Sequence, residues 1–191
     1  MPRGLTIQIV KQPNQCKYLV TSSPSTNLYG SVDMVRIIVD LSDNSTVQFT
    51  LLMENKTSTR LPEAHWFSFY PIVKNSNINN WFVNKVSNLI PINNGIINGS
   101  KHLHGTINGV YYNNSLNIMS LDNGIVSLDI QSPFSTPFSD DLINPINGIH
   151  FLLNNNIWNT NYPSWYPFLN EDINLVYRFN LTINGKQYVV V

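Results

Sequence analysis

Glu63 stands between Pro62 and an aromatic run that begins at His65. A carboxylate beside apolar rings is harder to ionise and can act as a general acid or base. Glycoside hydrolysis uses two such groups on either side of one bond. Asp122, Asp129, Asp140, Asp141, Glu171 and Asp172 are available as the second, and nothing in their spacing selects one. The plainer role for Glu63 is to cap a loop or form an ion pair. His102-Leu103-His104 places two imidazoles on one face of a strand, a spacing that can seed a zinc site. A third ligand would have to come from far along the chain, from His65, Asp122 or His150. Two hydrogen-bonded or exposed histidines are the simpler expectation, so the sequence assigns neither a metal nor a cofactor. Glu63, His102 and His104 remain the weak catalytic candidates.

Within the string NNNIWNTNYPSWYP, from Asn154 to Pro167, the segment Asn154 to Tyr166 is the best candidate for binding. Flat aromatic rings stack on the apolar face of a sugar, and Asn amides both donate and accept hydrogen bonds. Asn156, Trp158, Asn161, Tyr162 and Trp165 are therefore the candidate carbohydrate contacts. The competing role for Trp158, Tyr162 and Trp165 is to seal one end of the core while Asn side chains hold turns. Trp158 follows Ile157, which favours the core, whereas Trp165 lies between Ser164 and Tyr166, which favours partial exposure.

Other chemistries lose support. The chain contains no Gly-x-Gly-x-x-Gly, P-loop, Gly-x-Ser-x-Gly or His-Glu-x-x-His motif. Cys16 is the single cysteine, so an intrachain disulfide and a Cys-rich zinc site are both excluded. Eleven basic and 11 acidic residues, scattered over 191 positions, argue against a nucleic-acid or anionic-membrane partner. No apolar stretch approaches the about 18 residues of a membrane span, and the N-terminus shows no signal-peptide h-region.

The elements that position these residues read as strands. Val35 to Leu41 and Val47 to Met53 alternate in polarity across a short link, which predicts a hairpin. Further strands are expected at His65–Tyr70, Leu116–Leu121, Ile125–Ile130, His150–Leu153 and Leu175–Ile183. Weak ones are expected at Thr6–Val10 and Lys17–Thr21. Trp81 to Ile90 is the one place where a short helical turn or two is considered, against the low propensity of Asn84, Ser87 and Asn88. Asparagine is abundant, at 29 residues, and the five Asn-x-Ser/Thr sequons are about what that abundance produces by chance. Six of the nine glycines follow Asn, well above chance. Asn-Gly favours type I′ hairpin turns, so tight hairpins are expected, one of them at Asn108-Gly109. The fold class is all-β, an antiparallel sandwich with little helix.

The ordered series LPEAHWFSFYP, NGSKHLHG, GVYY, SLDNGIVS, SPFSTPF and NNNIWNTNYPSWYPF resembles the C-terminal β-sandwich region of uncharacterised α-mannosidase-like proteins related to glycoside hydrolase family 38. The resemblance runs from about Val32 to Phe168. It implies a galactose-mutarotase-like sandwich that packs on an α/β catalytic domain, in a secreted or lysosomal parent. The family's zinc ligands and carboxylate nucleophile precede the sandwich, and their motifs do not occur here. Two positions depart from the pattern: Asn159 replaces an expected glycine, and His65 an expected apolar residue. The resulting expectation is one sandwich domain over 1–191, incomplete at its N-terminal end. It would be a non-catalytic accessory or fragment domain that contacts carbohydrate or the missing catalytic domain. The alternatives are a self-sufficient aldose-epimerase-type enzyme using Glu63 with His102 or His104, and a lectin-like structural module.

Overall fold

The computed structural model describes residues 6–21, 32–41, 43, 45–58, 63–73, 75–129, 141–155, 170–184 and 189–190. The strands follow in order: β1 (Thr6–Gln12), β2 (Gln15–Thr21), β3 (Met34–Asp40), β4 (Thr46–Glu54), β5 (Ala64–Phe69), β6 (Pro71–Ile72), β7 (Trp81–Lys85), β8 (Asn88–Pro91), β9 (Leu103–Gly105), β10 (Val110–Tyr112), β11 (Leu116–Ser120), β12 (Ile125–Leu128), β13 (Ile149–Asn155), β14 (Leu175–Ile183) and β15 (Val189–Val190). Helix is confined, among the described residues, to single 3-10 turns at Ile78–Asn80, Pro145–Asn147 and Asn170–Ile173. Every pairing with an assigned register is antiparallel. The fold is all-β and sandwich-like, as the alternating patterns predict.

The chain divides into two compact units, Met1–His65 with Asn154–Arg178, and Trp66–Leu153 with Phe179–Val191. In the first, β1, β2, β3 and β4 form a meander. The hairpin expected between Val35 and Met53 is present, with Val35 opposite Met53 and Val39 opposite Phe49. Leu51 and Met53 are its buried residues. The weakly signalled N-terminal strands form a full seven-residue hairpin around Asn14, which takes φ +60.

In the second unit, β11, β10, β7 and β8 line up beside the Phe179–Ile183 part of β14, and β13, β12 and β9 form another sheet with the later part of β5. One rung of the first sheet runs Val83, Val110, Ile118, Leu181, all essentially excluded from water. The next places Trp81 against Tyr112, ring centroids 4.9 Å apart. Phe67 and Phe69 from β5 and Phe151 from β13 meet Phe179 of β14, so the two sheets pack face to face through aromatic rings.

The turns correct the reading of Asn-Gly. No hairpin forms at Asn108-Gly109: β9 pairs with β12, whereas β10 pairs with β7 and β11. Gly109 (φ +87) lies against the backbone of Ile118, leaving no space for a Cβ. Close approach between chain segments, rather than a two-residue turn, accounts for that glycine. The short helix considered over Trp81 to Ile90 is also replaced, by the β7–β8 hairpin. Its two-residue turn is Val86-Ser87, with φ +51 and +67, the type I′ signs without the residues that favour them. Trp81 and Val83 alternate with Phe82 in burial, and this period of two overrides local propensity.

Candidate functional site

The first unit contains a charged cluster built around a buried lysine. After β4, Asn55 turns the chain at φ +57, and its N–H donates to Asn174 Oδ1 (3.1 Å). Asn tolerates this left-handed geometry, and the turn sends the next residue inward. Lys56 donates its N–H to the Ile173 carbonyl (2.9 Å) and is only 1% exposed. Its Nζ lies 2.6 Å from Glu63 Oε1 and donates to the Thr57 carbonyl (3.0 Å). An ammonium withdrawn from water is costly by several kcal/mol unless an anion faces it, and Glu63 is that anion. The other carboxylate oxygen, Oε2, lies 3.8 Å from His65 Nε2. His65 Nδ1 lies 2.7 Å from Asn154 Oδ1. An amide oxygen only accepts, so Nδ1 carries the ring proton and Nε2 is the atom turned to Glu63. Asn154 closes the series: it is 9% exposed, and its Nδ2 donors have no acceptor.

This row of ammonium, carboxylate, imidazole and amide stands at the end of β13, where the Asn-rich string begins. Its chemistry is that of fixed hydrogen-bonding groups. The Glu63 carboxylate is taken up by Lys56 on one oxygen and faces His65 with the other, so it is not the unpaired acid that its apolar flank suggests. Among the described residues the buried Asn154 donors are unmet, and they suit a hydroxyl or carbonyl acceptor.

The histidines of the second unit are arranged differently. His102 Nδ1 donates to the Leu128 carbonyl (3.1 Å), and the Leu128 N–H returns a bond to the His102 carbonyl (2.8 Å). His104, on β9 opposite Val126, donates Nε2–H to the Lys101 carbonyl (2.6 Å). It is 2% exposed, and its Nδ1 has no partner. Burial, with lesser contributions from the positive charge of Lys85 and from His102, lowers its pKa from 6.5 to about 4 despite the opposing Lys101 carbonyl. The ring is therefore neutral near pH 7. On the opposite face, Ser127 pairs with His150 across β12 and β13, and His150 Nδ1 lies 2.7 Å from Ser68 Oγ. The two imidazoles of the His-Leu-His string thus hold separate carbonyls. Among the described residues no group of three or more His, Cys, Asp or Glu side chains could hold a metal ion.

Of the sequence candidates, the structure brings Glu63 and His65 together in the first unit and places His102 and His104 in the second. Asn156, Trp158, Asn161, Tyr162 and Trp165 lie outside the described residues. Lys56 is the member that sequence reasoning did not single out, and Asn154 entered it only as the first residue of the Asn-rich string. Lys56 sits in a polar stretch that reads as a solvated loop, and nothing local marks it as buried. The one usable signal was His65, a polar residue in an apolar slot.

The class defined so far is an all-β protein of antiparallel sheets with an ion-paired cluster in one unit and a buried, neutral His104 in the other. Compared with known proteins, the chain matches no family model, no curated protein and no solved structure. No helix among the described residues is long and apolar enough to cross a membrane.

Proposed function

We propose that this chain is a non-catalytic β-sandwich domain of an α-mannosidase-like glycoside hydrolase, and that it contacts carbohydrate through the Asn-rich aromatic string and the polar row at its base. The observation that carries the reading is the state of Glu63. Its carboxylate is held by the buried Lys56 ammonium, which suits a fixed acceptor better than a proton-shuttling acid. Beside it, the unsatisfied Asn154 amide supplies donors of the kind that bind sugar hydroxyls. The resemblance of the motif series supplies the parent, and an α/β catalytic domain is the protein partner it implies. The epimerase-type alternative gains nothing from His104, a buried ring whose N–H is spent on a main-chain carbonyl.

The test is a pair of measurements on the purified chain. Titration with mannose, mannobiose and a panel of other simple sugars, followed by tryptophan fluorescence, should give saturable binding. Trp165→Ala and Asn154→Ala should weaken it. Release of an aryl α-mannoside, with and without added zinc, should stay at background. Saturation by no sugar in the panel would remove the carbohydrate contact. Turnover abolished by Glu63→Gln would replace an accessory domain by an enzyme.

A further inference from the structure

The asparagine of an Asn-Gly pair is open to a covalent change that needs only water. The glycine nitrogen, once it has lost its proton, attacks the asparagine Cγ. A new C–N bond forms to the main chain, the old C–N bond of the amide breaks, and ammonia leaves. The resulting five-membered imide takes up one water and opens to aspartate or isoaspartate, with no oxidation or reduction. Three conditions govern the rate in a folded chain: an uncommitted glycine N–H, a side-chain amide free to rotate, and room for the peptide to turn.

Most of the Asn-Gly pairs fail at least one condition. The Gly95 N–H donates to the Pro91 carbonyl (2.9 Å), and the Gly148 N–H donates to the Pro145 carbonyl (3.1 Å). Asn147 also gives its side-chain amide to Asp129 Oδ1. At Asn108-Gly109, the Ile107 N–H and the Gly109 carbonyl are both tied to the main chain of Asn84, and Gly109 is pressed on Ile118. Asn123 Oδ1 accepts from the Ile125 N–H (3.0 Å), and Gly124 is pressed on the Thr106 carbonyl. Asn184 donates its amide to the Asn114 carbonyl (3.1 Å), and its glycine lies outside the described residues.

Asn98-Gly99 meets all three. Asn98 is exposed at φ +53, beside Ile97, which is 83% exposed. Neither its amide nor the Gly99 N–H takes part in a hydrogen bond. A Cβ at Gly99 would meet only the Ile96 side chain, at 3.3 Å, and the Ile97 carbonyl, at 4.0 Å. We propose that Asn98 is a site of spontaneous deamidation in the folded protein, the one pair left open among those whose neighbours hold them shut. The product carries a new carboxylate in a chain of zero formal net charge. Isoaspartate would also lengthen the main chain between positions 98 and 99, next to Ser100, whose Oγ accepts from the Leu103 N–H (2.9 Å) at the start of β9.

The experiment uses bacterially produced full chain, which carries no glycan at this Asn-Gly-Ser sequon. It is incubated at mildly alkaline pH and sampled over days by charge separation and peptide mapping with mass spectrometry. The Asn98 peptide should acquire the acid mass several-fold faster than the Asn94, Asn108, Asn123 and Asn147 peptides. In strong denaturant the rates should converge. Gly99→Ala should suppress the acidic form, and Asn98→Asp should reproduce its charge from the start. A folded chain in which Asn94 or Asn147 reacts as fast as Asn98 would overturn the proposal. So would an intact Asn98 under conditions where the denatured chain is modified.

Discussion

Lys56 and His104 are both basic side chains withdrawn from water, and the two units treat them in opposite ways. Lys56 faces an anion: Glu63 Oε1 lies 2.6 Å from its Nζ, and His65 and Asn154 extend the row. Among the described residues His104 meets no carboxylate, so burial holds it neutral, and its second nitrogen has no partner there. A buried base can therefore be tolerated by supplying an anion or by giving up the proton. The choice follows from the intrinsic proton affinity of the group: an ammonium is hard to neutralise near pH 7, an imidazole easy. The first solution keeps an ion pair within the unit, whereas the second is a packing solution.

The comparison breaks most readily at Lys56. Lys56→Ala leaves the largely covered Glu63 carboxylate without its cation and should cost about 2–4 kcal/mol, discounted for the part of it that water reaches. The double change Lys56→Met with Glu63→Leu should recover most of that loss. Urea unfolding measures both, and a single-mutant cost below about 1 kcal/mol would mean that solvent already compensates Glu63.

The next effect belongs to His104 and depends on pH. Its folded pKa of about 4 lies below the ordinary 6.5. Between those values the unfolded chain binds a proton that the folded chain refuses, so stability is full above about 6.5 and falls as the pH drops toward 4. The loss from this group is of order 3 kcal/mol at the acid end. His104→Leu should flatten that limb of the stability curve. An unchanged limb in the variant would assign it to other groups.

A smaller effect sharpens the comparison by touching the second unit alone. Val86-Ser87 adopts positive φ at both residues, and a β-branched residue is strained there. Replacing the pair by Asn-Gly should stabilise by about 1 kcal/mol. Calorimetry of this variant should shift the transition assigned through His104. A matching shift in the transition assigned through Lys56 would show that both clusters report a single cooperative unfolding.

The smallest expected effect is at Ser127, which is fully buried with no partner for its Oγ. Ser127→Ala removes an unmet polar group and should be neutral or stabilising, by up to about 1 kcal/mol. A loss of more than that would place an ordered water on Ser127.

The legibility of this chain followed the length scale of the signal. The β3–β4 hairpin and β14 are readable because polarity alternates over five or more residues, and β5 and β13 because they are short aromatic or apolar runs; both signals are local. Hairpin turns were misread at Asn108-Gly109 because Asn-Gly signals positive φ and tight backbone without saying which strand comes next. The chain there leaves one sheet for the other. The site was legible in part: Glu63 and His65 stood out by type, while Lys56 did not, since burial of a lysine in a polar loop is set by what folds over it.

The sequence by itself determined the class of the fold, the absence of a disulfide within the chain and the residues available for chemistry. These follow from composition and from a two-residue period that any segment carries alone. Tertiary structure decided the rest. Which strands pair, and which base keeps its proton, depends on groups brought together from distant positions. Lys56 meets Glu63 and the Ile173 carbonyl, and His65 meets Asn154. Electrostatic energy depends on distance and burial, and neither quantity exists until the chain has folded.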